Sequence, residues 1–84
     1  MQISIRLSAA LAQGSGRTRF TLSLPEASTV EDAIFALIEQ MPQLQNKLQI
    51  VIPFVAGQQV GRTAQLQQGQ ELALLLPAAG GSGQ

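Results

Sequence analysis

Cysteine and histidine are both absent from the 84-residue sequence, which excludes thiolate nucleophiles, imidazole bases, disulfides and the usual zinc sites together. Little catalytic chemistry is left, so the residues predict a protein that is not itself an enzyme and carries no metal or cofactor. Aromatics are scarce too, with only Phe20, Phe35 and Phe54 present. The core must therefore be aliphatic. Charge is equally thin: five basic and five acidic residues cancel, and Lys47 is the only lysine. No run of either sign offers a nucleic-acid stripe or a polybasic membrane anchor, so proteins are the expected partners. No apolar run is long enough to span a bilayer, and Met1-Gln2-Ile3-Ser4-Ile5-Arg6 lacks the basic segment and apolar stretch of a signal peptide. A soluble, cytoplasmic chain is expected.

What is present suits one small domain. The apolar fraction of 45% is ample for a single core at this length. Ile3, Ile5 and Leu7 alternate with Gln2, Ser4, Arg6 and Ser8, the period of a half-buried strand. After Ala9-Ala10-Leu11-Ala12, the cluster Gln13-Gly14-Ser15-Gly16 permits reversal, and Phe20, Leu22 and Leu24 then alternate with Arg19, Thr21 and Ser23. Together these segments predict an antiparallel hairpin closed by Pro25.

Ser28-Thr29 before Val30-Glu31-Asp32 places a hydroxyl three residues ahead of a carboxylate, the mark of a capped helix start. Val30, Ala33, Ile34, Leu37, Ile38 and Met41 then form one apolar stripe at helical spacing, which Pro42 ends. The weaker pattern from Leu44 to Leu48 predicts a short turn of helix carrying Lys47. Ile50 to Ala56 is β-branched and apolar, but Pro53 lacks an amide donor and points to a sheet edge, a bulge or a strand that begins late, at Phe54. Gly57-Gln58 can turn the chain toward Val60, and Gln68-Gly69-Gln70 precedes the final strand. The order strand, strand, helix, strand, strand predicts an α+β fold, a mixed sheet with one main helix on one face.

The last strand runs directly into a glycine arm. Leu72-Ala73-Leu74-Leu75-Leu76 leads through Pro77-Ala78-Ala79 to Gly80-Gly81 and then Ser82-Gly83-Gln84. If Leu72, Leu74 and Leu76 face the helix, Ala73 and Leu75 emerge on the open face of the sheet, immediately upstream of the arm. Leu75 would then either form a small binding patch or merely fill a hydrophobic rim. Lacking side chains, Gly80 and Gly81 can lie extended in a narrow slot and bring a backbone carbonyl to another protein's active site. The expected organisation is a domain over residues 1–77 and a flexible C-terminal tail over residues 78–84, comprising the di-glycine and a three-residue extension.

These elements, and most specifically the run from Leu66 through Gln68-Gly69-Gln70 and Glu71-Leu72-Ala73 to Pro77 and Gly80-Gly81, resemble the β-grasp sulfur carriers of the MoaD and ThiS group, relatives of ubiquitin. Two features differ from the usual pattern. Gln68 and Gln70 stand where the turn is commonly acidic, and Leu75 and Leu76 where aromatics are frequent. The resemblance implies a β-grasp fold and a carrier whose Gly81 carboxylate is adenylated and converted to a thiocarboxylate that donates sulfur, with Gly80 letting the arm enter the enzyme. It implies as partners an ATP-dependent E1-like adenylating enzyme and a synthase large subunit or other sulfur acceptor, molybdopterin-type synthesis being the leading case. Ala73, Leu75, Pro77, Ala78 and Ala79 would contact them.

Ser82-Gly83-Gln84 departs from that pattern by holding Gly81 in an amide. Precursors in this group resemble the arrangement, and a JAMM-type or other protease cutting between Gly81 and Ser82 would expose the carboxylate. Two further readings stand beside the carrier. One is a ubiquitin-like modifier joined through Gly81 to a target lysine; the other is a β-grasp assembly module that is never activated, similar to phage tail-assembly proteins.

Overall fold

Ile3, Ile5 and Leu7 are all turned inward along β1 (Gln2–Leu7) in a computed structural model that describes residues 1–13 and 16–77. Ser8 caps the following short helix α1 (Ala9–Ala12), its hydroxyl accepting from the Leu11 amide, and β2 (Arg19–Ser23) returns antiparallel to β1 with Ile3 opposite Leu22 and Ile5 opposite Phe20. The expected hairpin is present, with α1 inserted in its connection.

The main helix α2 (Val30–Gln40) begins on a capping box. Of the two hydroxyls available, Thr29 is the cap: its Oγ1 accepts from the Asp32 amide at 3.3 Å, and the Asp32 carboxylate accepts from the Thr29 amide at 2.9 Å. Ser28 is buried and donates instead to the Pro25 carbonyl. Val30, Ala33, Ile34, Leu37 and Met41 are buried, and Ile38 packs partly against them. Pro42 then opens a 3₁₀ turn (Pro42–Leu44) that passes into α3 (Gln45–Leu48).

β3 (Ile52–Val55) contains Pro53 within the strand, paired opposite Leu74. The carbonyl of Pro53 accepts from the Val60 amide at 3.0 Å, on the side away from β5 (Glu71–Leu75). Because the amide and carbonyl of one extended residue point the same way, the missing donor also faces that outer side. Only the two-residue strand β4 (Gln58–Gln59) lies there, so the proline leaves the β3–β5 ladder intact. Ala56 and Gly57 link β3 to β4 with positive φ at both positions (53° and 77°), the tight turn that matches strand twist. β4 adds a fifth strand to the expected four, and at two residues it is too short to show alternation.

The described sheet has the order β2-β1-β5-β3-β4, with β1 and β5 parallel and the other neighbours antiparallel. The final strand is thus central, between the first and the third. α2 covers one face, and an aliphatic core that includes Leu11, Leu44, Leu48 and Leu66 lies between. Among the described residues no helix is long and apolar enough to cross a membrane.

The connector ahead of β5 straps down the start of α2. The Val30 and Glu31 amides, which have no partner inside the helix, donate to the Ala64 and Arg62 carbonyls at 2.9 Å each. Arg62 also reaches across with its side chain, donating to Glu31 Oε1 at 2.9 Å and to the Leu48 and Gln49 carbonyls at 3.0 and 2.9 Å. One planar guanidinium therefore ties the first turn of α2 to the last carbonyls of α3. Lysine cannot reproduce that fork. Because the pair is partly exposed, Arg62→Lys and Arg62→Ala are expected to cost about 1–2 kcal/mol. Midpoints of urea denaturation check this, and unchanged midpoints would show that the strap contributes nothing.

Candidate functional site

The face of the sheet opposite α2 is built by strand parity. Arg19, Arg6, Ala73, Phe54 and Gln59 lie in one transverse row across β2, β1, β5, β3 and β4, because each is the in-register partner of the next. On one side of this row come Thr21, Ser4 and Glu71, and on the other Leu75 opposite Ile52. The face is thus polar and basic over β2 and β1, and apolar over β3 and the part of β5 that follows Glu71.

Leu72 and Leu74 are fully buried beneath the helix, Leu76 packs partly against the core, and Leu75 is 39% exposed. Leu75 accordingly occupies the open face. Ala73 shares that face but does not emerge from it: it is only 9% exposed, being the smallest side chain in its row and flanked by Arg6 and Phe54. Instead it forms the floor of a shallow depression of about 400 Å³ whose walls include Phe54, Leu75, Arg6 and Glu71. Pro77 is exposed just past the end of β5. Ala78, Ala79, Gly80, Gly81 and Ser82 lie outside the described residues.

Phe54 and Ile52 belong to this surface although the sequence did not single them out. Their neighbours Val51, Pro53 and Val55 are apolar as well, so no polar alternation marks which parity faces out. Register against β5 decides it.

The turn before β5 holds the strand in place with side-chain amides. Gln68 Oε1 accepts from the Gln2 amide at 2.8 Å, and Gln70 Oε1 from the Gln67 amide at 2.8 Å. These are acceptor roles that a carboxylate could equally fill. Gly69, with φ at 84°, lets the turn place its amide on the Gln2 carbonyl at 2.9 Å, so the starts of β1 and β5 are clamped together.

In fold, the chain is similar to small archaeal modifier protein 1 from H. volcanii, with a TM-score of 0.82 at 24% identity, over 90% of this chain and 97% of that one. It is likewise similar to a putative molybdopterin converting factor, subunit 1, from Pyrococcus furiosus (TM-score 0.82, 19% identity, 92% and 98% of the two chains). A third likeness is to the complex of subunits 1 and 2 of molybdopterin-converting factor from Helicobacter pylori (TM-score 0.68, 16% identity, 95% and 99%). At these identities the likenesses establish the ubiquitin-like β-grasp fold. No curated protein sequence matches the chain significantly. The sequence itself matches the ThiS family over residues 5–81, nearly its whole length and through both arm glycines. The chain therefore belongs to the ThiS family of small ubiquitin-like carriers, which serve as substrates rather than as enzymes.

Proposed function

We propose that this protein is a sulfur carrier whose working group is the carboxylate of Gly81. The observation that carries the reading is the extent of the family match, which stops at Gly81 and leaves Ser82-Gly83-Gln84 outside. A protease of the JAMM type, or another peptidase, removes those three residues and frees the carboxylate. In the adenylating enzyme a Gly81 carboxylate oxygen attacks the α-phosphorus of ATP, pyrophosphate leaves, and an acyl adenylate forms. A sulfur donor then displaces AMP to give the thiocarboxylate that supplies sulfur in cofactor or metabolite synthesis. Gly80 and Gly81 admit the arm to the enzyme's slot, and the carrier needs no catalytic side chain of its own.

A molybdopterin-type synthase subunit is the leading acceptor, a reading supported by the likeness to the Helicobacter pylori subunit complex. The likeness to small archaeal modifier protein 1 favours a second outcome for the same adenylate, an isopeptide bond to a target lysine. Both begin with the same activation. The deciding experiment is ATP–pyrophosphate exchange by the adenylating enzyme of the same genome, given the chain ending at Gly81. Exchange supports both readings, its absence leaves an assembly module, and the mass of the product formed with a sulfur source or a lysine acceptor separates carrier from modifier.

Docking is assigned to the apolar half of the open face, with Leu75, the Ala73 floor and Pro77 leading toward Ala78 and Ala79. Leu75→Glu is expected to weaken binding of the adenylating enzyme about 10- to 100-fold, because it puts a charge into a desolvated contact. Stability should change by about 1 kcal/mol or less, since Leu75 is already partly in water. Isothermal titration beside urea denaturation reads both quantities. Unaltered affinity would remove Leu75 from the interface.

A further inference from the structure

Arg6 and Arg19 are direct partners in the β1–β2 ladder, and both side chains are exposed on the open face. Like charges opposite one another across an antiparallel pair are unfavourable. None of the side-chain hydrogen bonds or ion pairs between described residues involves either arginine. Glu71 is the nearest acidic position on the face, but it pairs with Ser4 and so lies one row away. The two arginines thus concentrate positive charge without a direct ion pair among the described residues, in a chain whose net charge is zero, and Glu71 borders them diagonally. The pair adjoins the apolar half of the same face, since Arg6 is the neighbour of Ala73.

We propose that the open face docks an acidic segment of a partner protein, two of whose carboxylates meet the guanidiniums of Arg6 and Arg19 while an apolar side chain of that segment settles beside Phe54 and Leu75. Charge complementarity selects the occupant: two arginines one strand spacing apart, about 4.8 Å, suit carboxylates carried on a protein backbone. The apolar flank and the balanced total charge disfavour nucleic acid, which would ask for a broader basic surface. Glu71 adds direction, repelling the partner's acids from the Ser4 row and holding them on the arginine row. The cost of the like-charge pair in the free protein is offset on docking. Only the identity of the partner, the adenylating enzyme, rests on the carrier reading above.

Two measurements on the full chain test the proposal. In the first, association with the adenylating enzyme of the same genome is followed at several salt concentrations for the parent chain, Arg6→Gln, Arg19→Gln and Arg19→Glu. The association rate should fall about tenfold for each Gln variant and further for Arg19→Glu, with a flatter salt dependence. Thermal stability should not fall, and should rise in Arg19→Glu, where a cross-strand ion pair replaces a repulsion. A merely structural arginine would show the reverse. In the second, an acetylated and amidated (Asp-Glu)₃ peptide is titrated into isotope-labelled chain at low salt, and shifts should centre on Arg6 and Arg19.

Parent-like association of the Gln variants at low salt overturns the proposal. So do peptide shifts centred elsewhere, or larger shifts with a single-stranded oligonucleotide of equal charge. If the enzyme does not bind the parent chain, the peptide titration decides alone. Failure of the carrier reading is read separately, as absent pyrophosphate exchange by the chain ending at Gly81.

Discussion

The chain that retains Ser82-Gly83-Gln84 should give no ATP–pyrophosphate exchange, and the chain ending at Gly81 should give exchange well above background. Adenylation needs an anionic carboxylate oxygen to attack the α-phosphorus of ATP. In the encoded sequence the Gly81 carbonyl is instead bonded to the Ser82 nitrogen, and an amide oxygen is neutral and a poor nucleophile. The difference is therefore one of presence against absence rather than of degree. A third chain, ending at position 81 but with Gly81→Leu, should also fail, because a side chain blocks a slot shaped for bare backbone. Its stability should match that of the trimmed parent, since the substitution lies beyond β5 and Pro77. Equal exchange by the untrimmed and trimmed chains would show that Ser82-Gly83-Gln84 masks nothing.

Leu37→Ala should destabilise the domain by about 2–5 kcal/mol, the usual cost of removing a large aliphatic group from a packed core. Leu37 is 0% exposed and belongs to the core cluster with Ile34, Leu72 and Leu74. A chain of 84 residues has about 4–12 kcal/mol of total stability, so this one truncation takes a large share. The core has no aromatic at its centre that could shift into the cavity, because Phe20 and Phe54 are only half-buried and Phe35 is 58% exposed. Urea denaturation should show a lowered midpoint with an unchanged slope. A midpoint within error of the parent would mean that the helical stripe is not core.

Local sequence determined the faces and most of the elements of this protein. Ile3-Ser4-Ile5-Arg6-Leu7 can bury only one parity, and Val30 to Met41 only one helical stripe, because side-chain direction follows from backbone period. The inward position of Leu72 and Leu74 and the exposure of Leu75 follow from the same rule. Core leucines outside a clear period were not legible in this way: Leu11, Leu44, Leu48 and Leu66 sit in short helices, turns and connectors, where no repeat marks the buried side. The arm, too, is read from sequence alone, since Gly80-Gly81 carries its meaning in chemistry and in its place after the last strand.

Pairing between distant segments was decided by the tertiary structure. Nothing local specifies that β5 inserts between β1 and β3, and that insertion brings Arg6, Ala73 and Phe54 into one row and turns Ala73 from an exposed patch into a covered floor. Pro53 is compatible with an inner strand only because its amide position faces the short β4 side. Thr29 rather than Ser28 caps the helix where the 62–66 connector crosses its start, the connector's carbonyls receiving the first helix amides and its Leu66 amide donating to the Ser28 carbonyl. Arg6 and Arg19 are unremarkable as two outward residues in two strands and become a concentrated charge only when the hairpin sets them face to face. The physical reason is common to all four: the period of a strand or helix constrains direction within a segment, whereas register is a property of two segments and exists only once they meet.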